Sequence, residues 1–272
     1  MLSSVNFLLE EAKELVDRFD TPDILSAIYS CIDLTDLSST STYDDIKNLC
    51  LKVNEHYELH PSIPNVAAIC VYPSKFDVVA QNLNRRKINI ACVAGGFPHS
   101  HISLDSKLFE IKELVSQGVD EIDIVINVPD ILSDNSKKVA AEIGAIKKLM
   151  GAKHLKVILQ VSYLNDLETI YDTSLLCLQS GADFIKTSTG KENSVAFPEA
   201  AIAMCLAIKE HYENTGEKRG IKPAGGISTV EDAILYYAIV WKVLGAGWCN
   251  SHLFRIGASR LATNLINSLT KV

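Results

Sequence analysis

Short apolar runs alternate along this chain with longer stretches whose apolar residues recur every three or four positions. The runs are AIYSCID (27–33), VAAICVY (66–72), INIACVA (88–94), EIDIVIN (121–127), LKVILQV (155–161), DFIKTS (183–188), GIKPAGG (220–226) and FRIGAS (254–259). Between them, stretches such as SLDSKLFEIKELVSQG (103–118) and FPEAAIAMCLAIKEHY (197–212) carry the helical period. Strands alternating with helices predict parallel βαβ units, and strands this apolar on both faces predict a sheet covered by helices. Eight units in 272 residues predict an α/β fold, a (β/α)8 TIM barrel, with an additional N-terminal helix from MLSSVNFLLEEAKELVDRFD. An open, doubly wound sheet is the alternative, but it seldom needs eight units. No linker or shift of composition divides the chain, so 1–272 read as a single barrel domain.

A barrel directs attention to the C-terminal ends of its strands and the loops that follow them. Four charged or polar positions stand there. Asp33 closes the first run, two residues before Thr35, and Asp123 lies in the middle of EIDIVIN. Lys186 ends DFIK, and Lys222 is followed by Pro223, which cannot continue a central ladder and so places the lysine at the rim. A charge inside a parallel barrel is costly unless it is paired or neutralised. One lysine and one aspartate are equally well read as a structural ion pair or as chemistry. A second lysine at a neighbouring strand end favours chemistry. A free lysine, with a pKa of about 10.4, is protonated at pH 7 and cannot attack a carbonyl. Desolvation and a second cation can lower that value by about three units. Asp123 would then exchange protons with a carbinolamine and a substrate hydroxyl. Lys186 as nucleophile, Lys222 as tuning cation and Asp123 as shuttle are the parts of Schiff-base catalysis.

Composition narrows the substrate. The formal charge of −7 gives no global attraction to nucleic acid or to an anionic membrane, so a phosphate would need a local site. Three glycine- and hydroxyl-rich turns follow the last three strands: Ser188-Thr189-Gly190-Lys191, Ala224-Gly225-Gly226 and Gly257-Ala258-Ser259. Barrels commonly bind phosphate there, through backbone N–H groups and a helix N-terminus. Ser-Thr-Gly-Lys lacks the first glycine of a P-loop. His99 and His101 have no completing ligands in the sequence, so they read as loop histidines and no metal or other cofactor is expected. The seven cysteines contain no CxxC pair and read as reduced thiols of a cytoplasmic protein, with Cys31, Cys70 and Cys92 packed in apolar runs.

SGADFIKTSTGK (180–191) and IKPAGGI (221–227), with CVYP (70–73), GFPH (96–99) and EIDIVIN, resemble the deoxyribose-phosphate aldolase family over almost the whole chain. The resemblance implies a metal-free class I aldolase barrel that cleaves 2-deoxyribose 5-phosphate reversibly to glyceraldehyde 3-phosphate and acetaldehyde. It matches the Schiff-base lysine to Lys186, the second lysine to Lys222 and the acid/base aspartate to Asp123. It places Asp33, Thr35 and Cys70 near the substrate. Thr189, Gly190, Lys191, Gly225, Gly226, Gly257 and Ser259 fall on the phosphate side. A phosphorylated deoxysugar partner and a homo-oligomer, dimer or tetramer, are the matching expectations. The chain also departs from the family pattern. Gln160-Val161 stands where Glu-Thr is usual, Ser228 replaces a basic residue, Arg260 replaces a small hydroxyl residue, and the end at Val272 carries no tail tyrosine. These departures motivate a second expectation, a barrel of weak or lost activity that serves a protein partner as a scaffold.

Overall fold

The computed structural model describes residues 2–84, 87–192 and 195–270. Eight parallel strands, β1 (Ile32–Asp36), β2 (Ala68–Val71), β3 (Asn89–Ala94), β4 (Glu121–Val125), β5 (His154–Ile158), β6 (Phe184–Lys186), β7 (Gly220–Lys222) and β8 (Ile256–Ala258), pair in the order 7-6-5-4-3-2-1-8. Arg255 N–H donates to the Ile221 carbonyl at 3.0 Å and Gly257 N–H to the Pro223 carbonyl at 2.9 Å, which joins the last strand back to β7. The fold is the TIM barrel expected from the alternation.

Helices α1 (Val5–Lys13), α2 (Val16–Phe19) and α3 (Pro22–Ser30) precede the barrel. The outer layer then contains α4 (Tyr43–Leu59), α5 (Phe76–Asn82), α6 (Leu104–Gln117), α7 (Val128–Leu132) and α8 (Ser136–Met150). It is completed by α9 (Leu167–Gln179), α10 (Pro198–Thr215), α11 (Val230–Leu244) and α12 (Leu261–Leu269). The single N-terminal helix expected is therefore three, and Ala27–Ser30, read as the start of the first strand, belong to α3. Thr21 caps α3, Pro22 occupies its first turn, and Leu25, Ile28 and Tyr29 are buried at helical spacing. A start signal outweighed the local apolar run. Helix α10 is buried almost all round because α1 packs on it from outside, pinned through Glu11 to Lys242 of α11 at 2.8 Å. Among the described residues no helix is long and apolar enough to cross a membrane.

Alternate residues of each strand point into the barrel. On β2 and β3 these are small and apolar: Ala68, Cys70, Ala91 and Val93 form a patch of their own with Leu37. On β1 and β4 to β7 they include the buried charges Asp33, Glu121, Asp123, Lys156, Lys186 and Lys222, with the large apolar Phe184 among them. Strand β7 makes room for that ring with Gly220, where a Cβ would lie 2.3 Å from the nearest Phe184 ring carbon. Gly220→Ala should therefore cost about 1–3 kcal/mol by overpacking. Urea unfolding checks this, and Phe184→Leu in the same chain should restore most of the loss; an unshifted midpoint for Gly220→Ala would mean that the ring simply swings aside.

Candidate active site

Strand β4 turns Glu121 and Asp123, two residues apart, to the same interior face. Asp123 sits beside Lys156 in the β4–β5 register, and Lys186 beside Lys222 in the β6–β7 register. The barrel thus brings one carboxylate within reach of three ammonium groups. Asp123 Oδ1 accepts from Lys156 Nζ at 2.9 Å. Its Oδ2 accepts from both Lys186 Nζ, at 2.9 Å, and Lys222 Nζ, at 2.8 Å. Two lysine nitrogens share one oxygen atom.

A second tier lies beneath. Lys156 Nζ reaches Glu121 Oε2 at 2.5 Å and Asp33 Oδ2 at 3.3 Å, while Lys222 Nζ lies 2.6 Å from the same Asp33 oxygen. Arg255 donates to Glu121 Oε1 at 2.8 Å and to Asp33 Oδ1 at 2.5 Å. All seven side chains are buried. They comprise four bases and three acids, so full ionisation would leave one uncompensated positive charge in the barrel.

The surroundings of the three lysines differ in how far they favour the charged form. Burial pulls the Lys186 amine below the usual lysine range, and the neighbouring Lys222 cation pulls the same way, against Asp123. Burial pulls on Lys222 too, but Asp123 and Asp33 together outweigh it and hold that ammonium above its ordinary value. Lys156, with three carboxylates around it, is held well above. For Asp123 burial favours the neutral acid, but Lys156, Lys186 and Lys222 overcome this and keep it ionised. Of the three lysines, Lys186 is the one whose amine is pulled below its usual range.

A cavity of about 360 Å³ opens above this cluster at the C-terminal end of the strands. Of the seven charged residues, Lys186 is the one in its wall. Thr35, Thr189, Gly190, Lys191, Gly225, Gly226, Gly257 and Ser259 line it as expected from the sequence. Gly225 and Gly226 have φ of 97° and 84°, which glycine adopts without strain. Gly257 has a further reason: a Cβ there would lie 2.8 Å from Ala224 Cβ and 3.1 Å from the Lys222 side chain.

Two expected substrate contacts are not in the cavity wall. Asp33 is fully buried below it, because Lys156, Lys222 and Arg255 claim both carboxylate oxygens. Cys70 is equally buried in the apolar side of the barrel interior, where burial pushes its thiol up. Lys191 donates to the Leu37 carbonyl across the mouth, joining the loops after β6 and β1. His99 faces Glu192 at 3.5 Å, and the Tyr163 hydroxyl donates to the same carboxylate at 3.4 Å, so the loops after β3, β5 and β6 meet at the rim.

Sequence reasoning missed Glu121, Lys156 and Arg255. The signal available was the strand period: Glu121 lies two before Asp123, and Arg255 two before Gly257. It also missed Thr187, whose hydroxyl donates to the Ala224 carbonyl and accepts from the Ala224 N–H, both at 2.9 Å, locking the β6 and β7 loops together. Gln160 has left-handed backbone, φ 56°, and its side-chain carbonyl accepts from Thr189 N–H at 3.0 Å. The acceptor oxygen that a glutamate would supply to that loop is therefore present.

The site is a buried lysine pair beneath the mouth of an α/β barrel, one amine pulled below its usual range and one held above it. The profile of the DeoC/LacD family of aldolases matches residues 28–246. A Bos taurus deoxyribose-phosphate aldolase is 38% identical over 252 residues, covering 89% of this chain and 79% of that one. A Caenorhabditis elegans protein, provisionally named a deoxyribose-phosphate aldolase, is 42% identical over 262 residues, covering 96% and 85%. The tetrameric deoxyribose phosphate aldolase structure from Aeropyrum pernix superposes with a TM-score of 0.73 at 24% identity, over 97% of this chain and 98% of that one, which supports the fold. The chain belongs to the DeoC/LacD aldolase family. It is an aldolase, a carbon–carbon lyase.

Glu121→Gln should destabilise the protein by about 3–5 kcal/mol at neutral pH, because Lys156 and Arg255 would lose a buried counter-charge. Those two bases hold the Glu121 carboxyl well below its ordinary value against the opposing effect of burial. A depressed folded pKa gives stability that is present above the unfolded value, about 4.3, and lost as pH falls toward the folded one. The gap between wild type and Glu121→Gln, read by urea unfolding, should therefore narrow on acidification below about pH 4. A gap that stays constant with pH would contradict the ion-pair assignment.

Proposed function

We propose that the chain is a class I, Schiff-base-forming aldolase that cleaves 2-deoxy-D-ribose 5-phosphate reversibly to D-glyceraldehyde 3-phosphate and acetaldehyde, in deoxyribose phosphate catabolism. The observation that carries this reading is the placement of Lys186. It is the one member of the buried charge cluster in the cavity wall, and it is the one whose amine is held below the usual lysine range.

The neutral Lys186 amine attacks C1 of the open-chain aldehyde. The carbinolamine loses water to give an iminium on Nζ. Removal of the C3 hydroxyl proton then breaks the C2–C3 bond; the electron pair moves toward the iminium, leaving an enamine on Lys186 and releasing glyceraldehyde 3-phosphate. Protonation of the enamine at C2 and hydrolysis release acetaldehyde and free the amine. Asp123, in contact with both lysine nitrogens, is the carboxylate through which protons pass between Lys186, Lys222 and a bound water. Lys222, held charged, supplies fixed positive potential beside the reacting nitrogen. The glycine turns after β6, β7 and β8 present backbone to the 5-phosphate end. The names of the relatives support the choice of substrate.

Incubation with 2-deoxyribose 5-phosphate and sodium borohydride should reduce the iminium to a stable secondary amine, located on Lys186 by mass spectrometry. Lys186→Ala should give no adduct while keeping the fold. Substrate that binds but leaves Lys186 unmodified would overturn the reading.

Lys222→Leu should raise the Lys186 pKa, since it removes a repelling cation and leaves Asp123 Oδ2 to Lys186 alone. The acid limb of adduct formation against pH should then move upward by about one unit or more. An unmoved limb would remove Lys222 from the tuning role.

A further inference from the structure

We propose that the groove between α6 and α8 docks the acidic half of α4 from a second copy of this chain, the contact being made twice about a two-fold axis. The inference concerns the outer layer of the barrel, away from the Lys186 cavity, and does not rest on the aldolase reading.

Leu108, Phe109 and Lys112 of α6 line a groove of about 480 Å³ together with Ala145, Lys148 and Leu149 of α8. Phe109 is 70% exposed, more than any other large hydrophobic side chain among the described residues. A single exposed apolar residue is ordinary, but an apolar floor between two helices is a surface that takes a helix. Both lysines are exposed, and among the described residues neither ammonium has an ion-pair or hydrogen-bond partner. Such a rim calls for an apolar ridge that carries carboxylates.

The chain presents that ridge itself. Leu51, Glu55, Glu58 and Leu59 recur at helical spacing on one face of α4. Leu51 is 40% exposed and Leu59 68%, while Ile46, Cys50 and Val53 of the same helix are buried in the core. Glu55 and Glu58 are exposed, and among the described residues neither carboxylate has a partner.

The positions of the two patches allow the contact to close. Strands β1 to β4 are successive neighbours, so α4, α5, α6 and α8 follow one another around the outer layer. Helix α5, between the patches, has seven residues and a length of about 10 Å, against about 25 Å for α4. An axis through that low ground sets α4 of each copy in the groove of the other, an isologous pair. Helix α1 also has an exposed aromatic, Phe7, near Glu10. Glu10 is paired with Lys13, however, and α1 packs on α10 and α11, across the barrel from the groove. A contact from there would repeat head to tail instead of closing. Making the α4 contact twice also doubles the buried area, which a stable pair needs at about 800 Å² per copy.

Light scattering on a sizing column reads the mass. Wild type should contain at least two chains. Lys112→Glu/Lys148→Glu and Glu55→Lys/Glu58→Lys each set like charges across both contacts. Each should weaken association by about 100-fold or more and run at half the wild-type mass. Mixed in equal amounts, the two variants set opposite charges across both contacts again and should return to the wild-type mass. The quadruple variant, with both pairs exchanged in one chain, should do so alone. Phe109→Ser, which changes no charge, should also weaken the pair. All five positions are exposed, so circular dichroism of every variant should match wild type. Wild type running as a single chain at about 100 μM overturns the inference. So do reversed variants that keep the wild-type mass, or a mixture and a quadruple variant that both stay apart.

Discussion

One oxygen atom, Asp123 Oδ2, accepts hydrogen bonds from two lysine nitrogens inside a closed barrel. In water two ammonium groups on one carboxylate oxygen would be unremarkable. Here all three groups are buried, and the wider cluster holds one more base than it has acids. The free energy of an unmatched charge in that setting is large enough to move a proton. Lys156 and Lys222 each have two or more carboxylates around them, whereas Lys186 has Asp123 alone. The amine pulled below its usual range is the buried one with the least compensating negative charge, and it is the one facing the cavity.

The rest of the barrel maintains this arrangement. Gly220 admits the Phe184 ring, and Gly257 leaves space for the Lys222 stem and for Ala224. Thr187 ties the loop after β6 to the loop after β7, so the two lysine-bearing strands end in one unit. Gln160 anchors the next turn through Thr189. The two tiers of ions make the interior of the barrel both its polar core and the support of its reactive group. A fully apolar interior of the same volume could match it in stability, but it could not depress a lysine pKa by charge.

Much of the site was legible in the sequence because strand ends and turns announce themselves. Lys222 was fixed by Pro223, and Lys186 by the Thr187-Ser188-Thr189-Gly190 turn. The glycine turns were visible for the same reason, and all three line the cavity. Glu121, Lys156 and Arg255 were passed over because a charged residue inside an apolar run shows nothing of its partners, which come from strands up to 222 positions away. Asp33 and Cys70 were placed near the substrate by the family resemblance, yet their depth in the barrel removes them from the cavity wall.

The sequence by itself determined the alternation of elements, hence the barrel, and the residue types that could carry carbonyl chemistry. Periodicity and turn residues act over a few positions, and those the chain states locally. Which strand neighbours which in the ring set the pairing of Asp123 with three lysines, and with it which lysine, Lys186 rather than Lys222, is pulled below its usual range. That difference depends on distances between strands, on depth, and on the count of charges enclosed. Electrostatic energy varies with separation and with exclusion of water, and neither exists until the barrel has closed.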